Sequence, residues 1–362
     1  MGTGKLKKQL MLALLLPLLL VLLSSGIFQA REAQILVGPE ELVPGSPVSV
    51  IVAIPEFSAD TENQAIPFAT GELIPLRALL ISLQNKTIQS APFFYFDRIS
   101  PDGTGYILAA AILVIPNTLE SKEVFLEVQR EKTAGTEAPL FSSLTLPERQ
   151  LLAIRARNFN TETIALGQQN TDIKTKPDPQ KTTEAAELWK LLTTNSPGLY
   201  TTGGFAAPVE SNRRTSFYGD RRVYQYTNGS SERSIHGGID FGIPRGTIVR
   251  ACAPGLVRMA RFRIVTGNTV ILQHAPGVYS VYYHMDSLSV TEGTQVAGGT
   301  ELGKSGSTGL STGPHLHWEF RIQGEFADPD LMVTVAPLDK DRIISKIAEK
   351  LSKHTDRSAE GR

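Results

Sequence analysis

Two histidines flank a single leucine in STGPHLHWEF, residues 311–320, in a chain that holds only six histidines. On a strand, alternate side chains share a face, so His315 and His317 point one way and Leu316 the other. A second run, SIHGGIDFG, sets His236 and Asp240 four residues apart with Gly237 and Gly238 between them. Four-residue spacing shares a face on a helix and also on a strand. Two adjacent glycines cost about 1 kcal/mol each inside a helix, and Pro244 follows closely, so the extended reading is preferred. His236 and Asp240 then converge as a nitrogen and an oxygen ligand. A catalytic zinc site takes three protein ligands and leaves a fourth position to water, and either His317 or His315 can supply the third. SVYYHMDSL adds His284, giving more candidate groups than a metal needs. A hydrolase has uses for the surplus: an attacking water must lose a proton and a leaving amine must gain one. Imidazole exchanges protons near neutral pH.

The elements that must position these groups read as mainly β. Ahead of them, PVSVIVAI (47–54), RALLISL (77–83), FFYF (93–96), YILAAAILVI (106–115) and EVFLEV (123–128) are rich in branched and aromatic residues. VPGSP, SPDGTG and IPNTLES break them apart. Residues 34–160 are therefore expected to form an Ig-like β-sandwich. Residues 161–204 read as a polar, Pro-containing linker with one short helix over TTEAAELWKLL (182–192), on which Trp189 is expected to be a packing anchor. β signals return over residues 205–337, where the chemical motifs lie. In that stretch His274, in LQHAPG, reads as a hairpin-turn residue outside the site. The lone Cys252 reads as a small core side chain with no disulfide partner. Residues 338–362 carry Ile343, Ile344, Ile347 and Leu351 at helical spacing, a surface helix with a solvated His354.

A chain of 362 residues with 41% hydrophobic and 20% charged residues is long enough for two globular cores. Lys+Arg and Asp+Glu balance at 36 each, so nucleic acid is not an expected partner. Residues 1–30 open with Lys5, Lys7 and Lys8, run apolar from Leu10 to Leu23 and end in small residues, the order of a secretory signal peptide. An uncleaved membrane anchor is the alternative. Either way the expected location is outside the cytoplasm, in the periplasm or cell envelope, and in the second case at the inner membrane.

Three segments, IHGGIDFGIPRGTIVRACAPGLV, VILQHAPGVYSVYYHMDSL and VAGGTELGKSGSTGLSTGPHLHWEF, together resemble the M23 family of zinc metallopeptidases, the lysostaphin or LytM type. The resemblance runs from about Phe205 to Pro337 and implies an antiparallel β metallopeptidase domain. Position by position, it implies that His236, Asp240 and His317 are zinc ligands and that His284 and His315 are the catalytic pair. Glu319, two residues beyond His317, reads as a partner that orients an imidazole, or as part of a solvated face. Arg221, in TSFYGDRR, matches a basic position frequent in the family, with substrate contact and a surface salt bridge both open. The chain departs from the family in the bulky, basic hairpin RMARFRIVTGN and in having no tyrosine, Tyr224 and Tyr226 included, that can be matched ahead of the HxxxD motif.

The function so implied is an exported zinc endopeptidase hydrolysing the peptide cross-links of peptidoglycan. The alternatives are a non-catalytic regulator or activator of other wall hydrolases, which retains the fold, and a peptidase acting on proteins. The order of the domains adds the expectation of intramolecular inhibition by the N-terminal part.

Overall fold

The computed structural model describes residues 31–56, 68–101, 103–131, 141 and 144–360. The leader over residues 1–30 lies outside them, as does the side chain of His354. Among the described residues no helix is long and apolar enough to cross a membrane.

The N-terminal part consists of β1 (Arg31–Glu32), β2 (Gln34–Gly38), β3 (Pro47–Pro55), β4 (Leu73–Ile81), β5 (Thr87–Ile99), β6 (Tyr106–Val114), β7 (Glu123–Arg130), β8 (Leu144–Thr145) and β9 (Gln150–Ala153). Seven of these form one antiparallel sheet in the order β2-β3-β6-β5-β4-β7-β9, while β1 pairs with β8. A bridge between Leu42 and Ile154 ties the chain beyond one edge strand to the chain beyond the other, curling the sheet on itself. The expected Ig-like sandwich of two stacked sheets is therefore not what the strand pairing gives. In FFYF, Phe93 and Tyr95 join the core inside the curl. Phe94 and Phe96 join a second core built largely from the C-terminal domain. Both faces of β6 are buried along nearly its whole length. One curled sheet covered by a second domain accounts for such strands without a second sheet of its own.

Residues 161–204 are more structured than a linker. They contain β10 (Thr161–Ala165) and the helices Gln168–Thr175 and Pro179–Thr193. Asp178 caps the second helix through Gln180 N at 2.7 Å, with Pro179 in the first turn where its missing N–H costs nothing. Leu192 is buried and Leu188 and Leu191 pack beside it against Met259, Ile271, Tyr279, Val281 and Tyr283. Trp189 is 57% exposed and is not the anchor, because the leucine stripe occupies the inward face.

The C-terminal domain follows with β11 (Arg214–Ser216), β12 (Arg221–Gln225), β13 (Ser231–Ile235), β14 (Gly238–Phe241), β15 (Ile248–Arg250), β16 (Gly255–Arg263), β17 (Gly267–Ala275) and β18 (Val278–Leu288). Beyond them come β19 (Gln295–Val296), β20 (Glu301–Ser305), β21 (Leu316–Ile322) and β22 (Glu325–Ala327). A ten-stranded sheet has the main path β11-β14-β21-β18-β17-β16-β19, and β10, β12 and β13 form a separate sheet at its side. His274 lies on β17 rather than in a turn. It is fully buried, bonded to Pro254 O and to Ser280 Oγ at 2.8 Å each. Cys252 is a core residue, and burial pushes its thiol up to about 11. The final helix, Lys340–Glu360, buries Ile343, Ile347 and Leu351 in the shared core.

Polar contacts lock the two domains together. Ser49 Oγ donates to Pro337 O at 2.8 Å, and Asp328 bonds both Arg157 (2.6 Å) and the backbone at Gly45. Gln89, buried at the seam, donates to Ile322 O at 3.0 Å and accepts from Val114 N at 2.7 Å. Replacing Gln89 by Leu strands both backbone groups. A buried group without its partner costs about 1–3 kcal/mol. Urea unfolding of Gln89→Leu is expected to show a loss of that order or up to twice it. An unchanged midpoint would mean that the seam does not depend on this bridge.

Candidate metal centre

Sheet register brings the separated motifs together. Asp240 on β14 sits directly opposite His317 on β21, and His317 sits opposite Tyr283 on β18. Leu316, Trp318 and Phe320 enter the core, so the period of two turns His315, His317 and Glu319 to the other face. The two glycines after His236 are required by close approach. A Cβ on Gly237 would fall 1.9 Å from the Phe326 ring, and one on Gly238 would fall 2.2 Å from Trp318 O.

Among the described residues, His236, Asp240 and His317 form a buried group able to hold a metal ion. His236 Nε2 is 3.1 Å from Asp240 Oδ1 and 3.0 Å from His317 Nδ1, and the latter is 2.8 Å from Asp240 Oδ1. The outward nitrogens define the tautomers. A backbone carbonyl only accepts, so His236 Nδ1, 2.8 Å from Phe217 O, carries the ring proton. His317 Nε2 donates to Glu319 Oε2 at 3.1 Å. Burial opposes ionisation of Glu319, but Arg321, 2.7 Å away, and His317 outweigh it and bring its carboxyl down to about 2. When His317 is neutral, two imidazole lone pairs and a carboxylate oxygen therefore meet at one point, three acceptors that a cation would satisfy. Tetrahedral zinc ligands about 2.0–2.1 Å from the ion stand about 3.3–3.4 Å apart. The donor set fits such an ion after a few tenths of an ångström of expansion.

The remaining histidines stand beside this triangle. His284 takes φ 62°, a left-handed conformation uncommon outside glycine. Its N–H donates to Thr266 O at 2.9 Å and its Nδ1 to Thr308 O at 2.8 Å, which hold it there. His315 Nδ1 donates to Gly313 O at 2.8 Å, leaving Nε2 3.9 Å from Asp240 Oδ1. The two rings are 4.7 Å apart between centroids. Both Nε2 atoms thus carry lone pairs next to the triangle. Burial, reinforced by repulsion from His315, pulls His284 down to about 3 and keeps it neutral.

Of the residues singled out in the sequence, His236, Asp240, His284, His315, His317 and Glu319 come together. Glu319 is 2% exposed, so it is not on a solvated face. Arg221 does not join them: its Nη2 donates to Asn117 O at 2.8 Å and its guanidinium lies over Phe159. The neighbouring Arg222 does, donating from Nη2 to Asp240 Oδ2 at 2.7 Å and pairing with Glu162 at 2.5 Å. Adjacent strand residues face opposite ways, and the RR pair carries no mark of which is which. Tyr283 was also missed. It stacks on His317 with centroids 5.3 Å and planes 10° apart. The hydroxyl of Tyr226 is committed to Glu232 Oε2 at 2.6 Å.

This fold and this donor set make a β-sheet domain with a buried site able to hold a metal ion. Residues 234–329 match Peptidase family M23. The DD-carboxypeptidase/endopeptidase Mpg of Neisseria meningitidis serogroup B is 46% identical over 95 residues, 26% of this chain and 22% of that protein. The peptidoglycan DD-endopeptidase ShyA of Vibrio cholerae is 37% identical over 118 residues, 32% of this chain and 27% of that protein. The shared segment is thus under a third of either relative. A solved peptidase M23 structure from Pseudomonas aeruginosa covers 81% of this chain and 95% of its own, with 22% identity and a TM-score of 0.50, a likeness of fold.

The metal-stripped protein has a pH signature. Burial opposes a proton on His317, but hydrogen bonds to Asp240 and Glu319 outweigh it and raise its pKa from 6.5 to about 9. A raised folded pKa stabilises fully below pH 6.5, and that contribution is lost as the pH climbs through 9. An ion must displace this proton, so zinc affinity in chelator competition is expected to rise about tenfold per pH unit across that window and then flatten. Glu319→Gln is expected to weaken zinc binding by about 10–100-fold. A pH-independent affinity would contradict the assigned protonation.

Proposed function

We propose that the protein is an exported zinc-dependent endopeptidase that hydrolyses peptide cross-links of peptidoglycan. The observation that carries this reading is the convergence of three metal-type donors with two further imidazoles, those of His284 and His315, whose Nδ1 atoms are committed to backbone carbonyls. Both curated relatives described above bear endopeptidase names, which supports the substrate class. A zinc ion held by His236, Asp240 and His317 would supply Lewis acidity for the scissile carbonyl and for water. His284 and His315 accept the proton of the attacking water at Nε2 and return it to the leaving amine. Their Nδ1–H bonds to Thr308 O and Gly313 O fix the tautomer this requires. Arg222 holds the second oxygen of Asp240, leaving Oδ1 for the centre. The sequence of the leader supports export, with retention at the inner membrane as the variant in which it is not cleaved.

The regulator reading predicts a protein that lacks a complete ligand set, whereas all five positions are filled here. Purified sacculi treated with the zinc-loaded protein are expected to release new amino termini. His315→Ala should cut that rate by about 10²–10⁴-fold. Equal release from both proteins would remove His315 from the chemistry. No release from zinc-loaded wild type, with or without the strap changes below, would favour the regulator, and release only from denatured proteins would favour the protein-peptidase alternative.

We also infer that the intramolecular inhibition anticipated from the domain order resides in the segment 161–175. β10 runs parallel to β12, and Glu162 reaches Arg222 and Ser216. The helix Gln168–Thr175 then bonds both flanks of the centre. Asn170 Nδ2 donates to Ser311 O at 2.9 Å, in the loop that bears His315, and Lys174 pairs with Glu232 at 2.8 Å on the β12–β13 hairpin. With this strap across it the centre is buried, His236 at 2% and Asp240 at 6% exposure. Removing both contacts with Asn170→Ala and Lys174→Ala is expected to weaken strap docking by about 1–2 kcal/mol and raise sacculus cleavage roughly tenfold. Unchanged cleavage would sink the strap.

A further inference from the structure

A second site lies on the reverse of the β12–β13 hairpin, between the N-terminal sheet and the peptidase domain. A cleft of about 500 Å³ opens there, within the size range of small-ligand sites. Its floor is Arg221. The guanidinium lies over the Phe159 ring with its carbon 4.5 Å from the centroid, and Nη2 is satisfied by Asn117 O. Nη1 is buried with no hydrogen-bond partner. Among the described residues no carboxylate pairs with Arg221, although most arginines around it are paired: Arg222 with Glu162 and Asp240, Arg157 with Asp328, Arg155 with Glu41. Lys122 stands exposed at the rim, likewise without an ion pair among the described residues, and Glu120 is the one acidic residue in the lining. Apolar wall is supplied by Ile154, Ile235 and the Phe159 ring.

A buried donor without an acceptor costs about 1–3 kcal/mol, and more when it is charged. A guanidinium in the lining of a cleft, with one nitrogen unsatisfied and no carboxylate beside it, is what an oxyanion would satisfy. The planar fork of arginine suits a carboxylate in particular, accepting two parallel bonds. The apolar wall calls for a ligand with a hydrocarbon body behind its charged head.

We propose that this cleft is a non-catalytic binding site for a short peptide bearing a free carboxylate, with Arg221 taking the carboxylate and Phe159 and Ile235 taking the adjoining side chain. That the peptide is a peptidoglycan stem rests on the function proposed above, whereas the recognition of a carboxylate does not. Ile235 lines the cleft and the next residue is His236, so an occupant lies one strand thickness from the centre without touching it. The site would hold an uncut or already cut stem on the wall while the groove works on another.

The test is calorimetric titration of the full-length, zinc-loaded protein with the stem tetrapeptide L-Ala-γ-D-Glu-meso-diaminopimelate-D-Ala, its C-terminal amide, and inorganic phosphate. The tetrapeptide is expected to bind, Arg221→Gln to weaken it at least tenfold, and the exposed rim variant Lys122→Gln to weaken it two- to fivefold. The His315→Ala protein should bind as the wild type does, which separates the cleft from the catalytic groove. The amide should bind more weakly than the acid. Affinity unchanged in both cleft variants, or no binding by the tetrapeptide, overturns the proposal. So does phosphate binding as tightly as the peptide, which would make this a phosphate site. If Arg221→Gln fails to fold, Lys122→Gln and the amide decide the matter. Sacculus cleavage by the same preparations reports on the proposed function separately, because it can persist when the cleft binds nothing.

Discussion

The lateral register of β14, β21 and β18 is the constraint on which the rest of the protein depends. Asp240, His317 and Tyr283 are neighbours across three antiparallel strands, and a slip of one residue would turn every one of them to the opposite face. What prevents the slip is apolar burial on the other side. Leu316, Trp318 and Phe320 fill the core with 0–1% exposure, so the hydrophobic pattern of β21 specifies where its histidines point. Gly237 and Gly238 then let β14 approach closely enough for the ligand atoms to meet.

The register concentrates polar groups in a buried space, where unpaired charge is costly. Each is answered. Arg222 neutralises one oxygen of Asp240, Arg321 holds Glu319, and Glu319 in turn orients His317. Burial drives His284 toward neutrality, and His236 also falls below its ordinary value despite the attraction of Asp240. His317 moves the other way, because two carboxylates act on one ring. A divalent cation would relieve that arrangement directly, and the surrounding bonds already orient the donors.

The N-terminal sheet cannot be understood apart from the domain behind it. Its central strands β3 and β6 bury both faces, one in the curl and one against the C-terminal core, and the shared core runs from Phe94 through Phe320 to Leu351. Gln89, Ser49 and Lys340 add bonds across the same seam. The cleft floored by Arg221 and the strap over residues 161–175 both arise where the two parts meet. The proposed regulation and secondary recognition thus sit at the junction, while the proposed chemistry sits inside one sheet.

Much of the site was legible without coordinates. Alternation placed His315 and His317 on one face, the glycine pair excluded a helix around His236, and the motif order carried the resemblance that assigned ligands and catalytic pair. Those inferences depend on local periodicity, which a linear sequence states outright. The errors share a different origin. Finding Arg222 beside Asp240 needed the strand's facing, which the edge of a neighbouring sheet decides. Taking Trp189 as the anchor needed the identity of the partner surface, which a leucine stripe claimed instead. Placing His274 in a turn needed the hairpin register. Expecting a sandwich needed to know what covers each face of a doubly buried strand. The sequence by itself determined which groups could bind a metal and which element type carries them. Only the tertiary structure decided which face meets which neighbour, because that choice is made by contacts between residues distant in the chain.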